Sequence, residues 1–377
     1  MLRQLARLTR TLPSAGPGAL AVAIYSDANN LVVPAAEAGF EGVACVDDAA
    51  RAFELLCDLL VITRDTRVRA WAEGLLEFLL WMHDGGGLWT NFIYDWTGRR
   101  NGDGRTSAPG ANFWQARALN AMAKAWAVFG DKRARRALDL GLEIAFESEA
   151  PSDIRSLHMT AVMQLIAEEP TRDRYSRLSA WSDEVAQCES GGVLMNSAGE
   201  RGVPHLWGHI QEGVLADAGA LLEREDLVKV AERSADKVFV ELIESGFCAP
   251  LVQPYGVQSA VFGMDRLAVA TGRSEYHRLA RLARLWFDGR NPPGRAVYDR
   301  GLGRVADGID ELRISLRSGA ESNISAGMAL LPDTVLLVGK QAPMGRLFNR
   351  SLTNGFSGDR AGGRARSLRR SLGVIDD

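Results

Sequence analysis

Residues 41–63 read EGVACVDDAARAFELLCDLLVIT. Ala49, Ala52, Phe53, Leu56 and Leu60 fall at helical spacing with apolar neighbours on nearly every side, the pattern of a helix buried all round. Two adjacent acids, Asp47 and Asp48, head it. One Asp there has an ordinary use, because its side chain caps free backbone N–H groups and meets the positive end of the helix dipole. The second carboxylate, where a buried helix opens onto loops, is either a surface charge or part of a site.

The same character recurs along the chain. The 377 residues are 46% hydrophobic and 24% charged, an ordinary globular composition able to bury a large core. Helical periodicity appears at about 45–63, 66–83, 112–129, 131–147, 152–168, 172–188, 207–222, 226–243, 256–271, 274–288 and 319–331. Connections of two to four residues within each pair force antiparallel hairpins. The first member of a pair is rich in small apolar residues (NFWQARALNAMAKAWAVF), whereas the second carries charge at helical spacing (KRARRALDLGLEIAFE). The first kind is inner and the second outer. Six inner and five outer helices predict an all-α, (α/α)6 toroid over residues 45–335, with either terminus free to supply the missing outer helix. Residues 1–44 read as an N-terminal extension, with a short amphipathic helix within 1–13 and irregular structure after it. Residues 336–377, rich in Gly, Ser and Arg, are expected to form a basic, disordered tail.

A net charge of −3 gives no bulk electrostatic case for nucleic acid. The four cysteines are widely spaced without a CxxC pair, so reduced thiols, a cytoplasmic protein and no structural zinc are expected. Pro13, Gly16, Pro17 and Gly18 interrupt the N-terminal segment before any adequate apolar run, and neither a secretory signal nor a membrane span is read. No cofactor is implied. His205 and His209 lie four apart with Glu212 beyond, but the order is not HExxH, and no metal is expected.

In the toroid, the long loops 84–111, 189–206 and 289–318 gather over the N-termini of the inner helices, where a ligand would sit. Asp47, Asp48, Trp114, His205, Trp207, Tyr255 and Glu321 stand at or near those helix starts. The loop DGGGLWTNFIYDWTGRRNGDGRTSAPGA adds Trp89, Tyr94, Asp95, Trp96 and Asp103 on a glycine-rich frame. Flat rings beside acids suit a carbohydrate, although the tryptophans serve equally well as anchors for a long loop.

The segment Cys45-x-Asp47-Asp48-x-Ala50-Arg51-Ala52, the turn Trp286-Phe287-x-Gly289-Arg290-Asn291, the Tyr298-Asp299 and Asp307-Gly308 loop and the helix start Gly319-Ala320-Glu321-Ser322 resemble the marks of a six-hairpin (α/α)6 family. Its bacterial and archaeal members are encoded beside, or fused to, sugar-nucleotide glycosyltransferases. The resemblance spans about 40–330, is specific at both ends and weak in the middle. It implies a carbohydrate substrate or ligand, a glycosyltransferase as partner, and ligand contacts from Tyr298 and Asp307. One departure stands out. Relatives commonly open the second inner helix with an acidic Glu-Asp-Ser-His-Gly-Arg segment, where this chain has Ser107-Ala108-Pro109-Gly110-Ala111-Asn112.

Glycoside hydrolysis needs one carboxylic acid and one carboxylate. Asp48 and Glu321 head the first and last inner helices, which become neighbours when the ring closes. The reading that follows is a glycoside hydrolase-like enzyme, inverting, on an oligosaccharide or polysaccharide. Glu321 is its general acid, Asp48 its base, Asp47 an orienting partner and Arg51 the residue that holds a carboxylate. A second reading is a non-catalytic glycan-binding or scaffold partner of a separate glycosyltransferase, and a third is a carbohydrate epimerase or lyase on the same toroid, since one fold hosts several chemistries.

Overall fold

A computed structural model of the chain describes residues 1–332. Six inner helices run in one direction: α2 (Val46–Thr63), α4 (Phe113–Phe129), α6 (Ser152–Glu168), α8 (Gln211–Leu221), α11 (Pro254–Thr271) and α13 (Ala320–Ala329). Each packs on the next, and α13 returns to α2, closing the (α/α)6 toroid. Outside them lie α3 (Thr66–Met82), α5 (Lys132–Glu147), α7 (Arg172–Ala186), α9 (Glu225–Ala235) with its continuation α10 (Glu241–Glu244), and α12 (Ser274–Arg284). Between α9 and α10 the helix passes through a π turn at Asp236–Val240.

Local chemistry sets the hairpins. Gly130 and Gly272 end their helices in the left-handed region at φ 66° and 69°, where a glycine pays no steric penalty. Asp65 and Asp131 then cap the outer helices that follow, Asp131 accepting from the backbone N–H of Arg133 (2.7 Å) and Ala134 (3.1 Å). Helix α8 starts four residues later than the periodicity predicts, because residues 207–210 form a turn rather than a first helical turn. Trp207 is thereby released from the helix.

The sixth outer position is filled from the N-terminus. Helix α1 (Leu2–Leu8) packs on α13, burying Leu5 and Leu8. Gln4, also buried, donates from Nε2 to Ser26 Oγ and the Ser318 carbonyl, both at 3.2 Å. Leu12 and Ala21–Ala23 join the same hydrophobic core as the inner helices. The expected basic tail, residues 336–377, lies outside the described residues.

Short antiparallel ladders brace the loop face: Ala44–Cys45 with Phe92–Ile93, and Leu251–Val252 with Ile309–Asp310. Among the described residues every strand ladder is antiparallel. Where α13 meets α2, Gly327 permits close approach, since a Cβ there would stand 2.4 Å from Leu55 Cδ2.

If α1 is the sixth outer helix, Leu8→Ala should cost about 2–5 kcal/mol, the usual range for emptying a buried leucine site. Thermal denaturation should show a midpoint several degrees below the parent; an unchanged midpoint would mean that α1 is not part of the folded ring.

Candidate functional site

The first turn of α2 is capped by groups other than its own two acids. Cys45 Sγ accepts the N–H of Asp48 at 3.4 Å, and Asn91 Oδ1 accepts that of Asp47 at 3.1 Å. Both carboxyl groups are therefore released for another use, and each finds a guanidinium. Arg51, one turn along, places Nη2 2.8 Å from Asp48 Oδ1, Nη1 3.0 Å from Glu321 Oε1 and Nε 3.3 Å from Asp47 Oδ1. Arg117, from α4, makes a second ion pair with Asp47. Trp207 Nε1 donates to Glu321 Oε1 at 2.7 Å.

Three carboxyl groups thus face two guanidinium groups in a largely buried cluster, one negative charge in excess. The excess falls on Asp48. Burial raises its pKa from the ordinary 3.8 to about 7; Arg51 works against the rise, and the charges of Glu321 and Asp47 add to it. Burial would also raise Asp47, but Arg117 and Arg51 together outweigh it and hold that carboxyl below its usual value. Glu321 is the most open of the three, with 27% of its side chain exposed. Both of its donors reach Oε1, and no described residue donates to Oε2.

A cavity of about 960 Å³ runs down the toroid; of the cluster, Arg51 and Arg117 line it while Asp47, Asp48 and Glu321 do not, and away from them it reaches the exposed Val269, Ser274 and His277. Its wall is more polar than helix starts alone would indicate. Below Asp47, the lining residues Arg51, Glu54 and Asp58 recur at intervals of three and four along α2, and Arg117, Asn120 and Lys124 recur at the same intervals on α4. Lys124 Nζ meets Asp58 Oδ1 at 2.8 Å across that wall. Polar residues at helical spacing inside an otherwise apolar helix were the available signal for Glu54, Asp58, Arg117 and Lys124.

Of the aromatic residues expected to meet a ligand, two stand near the cluster. Trp207 binds Glu321, though one of its faces is covered by the Arg117 guanidinium, 4.7 Å from the ring centre, and Phe113 packs edge-on at 4.4 Å. Tyr255 lines the cavity and donates its hydroxyl to Gln253. The loop 84–111 goes elsewhere. Trp89 is fully buried and donates to the Leu79 carbonyl at 2.9 Å; Trp114 donates to the Trp89 carbonyl at 3.2 Å. These two rings anchor the loop. Trp96 packs partly buried on the core, Tyr94 stacks on Phe40 beneath Arg99, Asp95 accepts from Thr97 in an exposed turn, and Asp103 is exposed.

The remaining expected contacts have partners of their own. His205 is an exposed residue 3.6 Å from Asp153, whereas His209 is fully buried between Asn196 (2.7 Å) and Glu212 (3.0 Å), so the pair does not converge. Asp307 Oδ1 accepts from the Gly319 N–H (2.6 Å) and Ser322 Oγ (2.8 Å), which makes it the cap of α13. Tyr298 lies in a two-residue ladder under Arg300. In the Trp286-to-Asn291 turn, Arg290 donates to the carbonyls of Ile243 (2.6 Å) and Glu244 (2.7 Å), closing the end of α10.

No protein-family model matches the sequence, and no curated protein matches it. Solved structures do match the fold. A cellobiose 2-epimerase from Bacillus thermoamylovorans B4167 superposes with a TM-score of 0.65 at 12% identity, covering 88% of this chain and 96% of that one. A D-mannose isomerase gives 0.64 at 10%, covering 90% and 96%. A family 76 glycoside hydrolase from a bovine Bacteroides thetaiotaomicron strain gives 0.62 at 9%, covering 90% and 77%. At these identities the likeness establishes the six-hairpin toroid and nothing finer. Among the described residues, no helix is long and apolar enough to cross a membrane.

The Asp48 shift has a signed consequence. A carboxyl whose folded pKa lies above its unfolded value stabilises the fold at low pH, and that contribution is lost as pH rises from about 4 through about 7. Asp48→Asn should therefore flatten the decline of thermal midpoint between pH 5 and pH 8 relative to the parent. Parallel curves for the two proteins would show that Asp48 titrates normally.

Proposed function

We propose that the chain is a carbohydrate-active enzyme of the glycoside hydrolase kind, working through the carboxyl groups gathered on Arg51. The observation that carries this reading is the convergence of Asp48 and Glu321, from opposite ends of the chain, on one guanidinium that itself lines the central cavity. The solved neighbours, whose names specify sugar epimerases, an isomerase and a glycoside hydrolase, agree with a sugar as ligand.

Charge supports an assignment of roles opposite to that suggested by the local sequence. Asp48 retains a proton near neutrality and is the acid; Glu321, with Oε2 unoccupied by any described donor, is the base. Asp48 would give its proton to the leaving glycosidic oxygen as the C–O bond breaks. Glu321 would take a proton from the water whose oxygen bonds to the anomeric carbon. Asp47, engaged by Arg117 and Arg51, would hold Arg51 in place. Product is expected with inverted anomeric configuration.

A second reading has its own support: Asp48 is only 3% exposed, and Arg51 already engages all three carboxyl groups. On that reading the cluster is a seam clamp in a glycan-binding protein, with the glycosyltransferase implied by the motif resemblance as its partner.

The two separate in one experiment on Asp48→Asn and Glu321→Gln against defined oligosaccharides. Catalysis predicts turnover lowered by about 10²–10⁴-fold with sugar affinity and thermal midpoint nearly kept. A clamp predicts no turnover in the parent protein and a lower midpoint in both variants, because each removes a charged hydrogen-bond partner of the buried Arg51.

A further inference from the structure

Below the Arg51 cluster, the cavity wall holds polar atoms that the fold leaves unsatisfied. Asn120, in the third turn of α4, is 2% exposed, lines the cavity and has no partner for its side-chain oxygen. Gln164 Oε1, on the neighbouring α6, is likewise buried and without a partner, and also lines the cavity. Glu54, on α2 at the other side of α4, faces the same space, and no described residue ion-pairs with it or donates to it. Lys124, which could have neutralised it, is committed to Asp58 at 2.8 Å. Burial, only partly relieved by Lys124, raises the Glu54 carboxyl to about 7.

The inner helices are parallel, so depth follows from position along each helix. Glu54 and Asn120 are the ninth and eighth residues of α2 and α4, and at 1.5 Å per residue they sit at one level, roughly 11–12 Å below the helix starts. Asp58, Lys124 and Gln164 form the next level down, about one turn deeper. Three adjacent helices thus present an amide oxygen, a second amide oxygen and a carboxyl group to one cavity.

Buried oxygen acceptors left without donors cost stability, and folded proteins rarely keep them without a use. What they lack is O–H or N–H donors. A molecule that carries several hydroxyl groups on neighbouring atoms provides these, and its own oxygens can accept from the Asn120 and Gln164 amide N–H groups. We propose that Glu54, Asn120 and Gln164 form an internal binding subsite for a neutral polyhydroxylated ligand, one sugar ring deep inside the toroid beyond the Arg51 cluster. The proposal rests on the carbohydrate reading for the class of ligand. It places a sugar residue in the lumen itself, about one helical turn along α2 from Arg51.

The test uses the full chain with Asn120→Leu and Glu54→Gln, titrated calorimetrically with cellobiose, α-linked mannobiose and their longer homologues, alongside thermal midpoints. A polar residue kept for a ligand usually lowers stability, so filling its place with an apolar group of similar size should raise the midpoint. Expected is at least tenfold weaker binding in both variants and a midpoint for Asn120→Leu a degree or more above the parent. If the parent binds a sugar and both variants bind it equally well, the subsite is refuted while the carbohydrate reading stands. If Asn120→Leu lowers the midpoint by several degrees, the layer is structural and the subsite is refuted. If the parent binds none of these sugars, the carbohydrate reading fails and the subsite fails with it.

Discussion

Arg51 is the side chain that joins the first and last inner helices through charge. It sits on the first inner helix, and its reach to Glu321 on the last ties together elements separated by 270 positions in the chain. Burying a guanidinium among carboxyl groups is not a cheap way to join two helices, because desolvation offsets much of the attraction and apolar side chains would serve as well. The cluster is also unbalanced: with Arg117 included, three acids share two cations. A clamp selected for stability alone would have no reason to carry the third acid, and the neighbouring acids add to the burial that raises the Asp48 carboxyl to about 7.

Much of this was legible in the chain. Alternation of small-apolar and amphipathic helices, joined by turns with Gly or Asp at the right places, determines a closed ring of hairpins, and ring closure alone places Glu321 beside Asp47 and Asp48. The capping role of the two acids could not be decided that way. It depended on Cys45 and Asn91, one of them 44 residues from the N–H it satisfies. The loop 84–111 could not be placed for a related reason: a long loop's composition suits a ligand and an anchor alike, and only tertiary packing shows that Trp89 turns inward to Leu79. Helix α1 was readable as amphipathic, but seven residues carry too little periodicity to show where they dock.

The polar stripe of α2 is a signal present in the sequence itself. Positions 47, 51, 54 and 58 share one helical face, and charges on one face of an otherwise apolar inner helix must point at something wet. The helix start holds only the upper end of that stripe, and Arg51, Glu54 and Asp58 continue it along the cavity. The motif residues divide in the same way between site and scaffold. Arg51 and Glu321 meet in the cluster, whereas Arg290 closes a helix end and Asp307 caps α13. A shared toroid cannot choose among epimerisation, isomerisation and hydrolysis; the placement of charge along this cavity has to do so.

The dependence of the ring seam on Arg51 can be measured directly by amide hydrogen exchange on Arg51→Met compared with the parent protein. Methionine keeps the length and apolar stem of the side chain but none of its donors. If the guanidinium closes the ring, protection should fall in α13 and the first turns of α2 and remain unchanged in α6 and α8, on the far side of the toroid. Unaltered protection in α13 would contradict that dependence and leave the seam to apolar packing around Gly327 and Leu55.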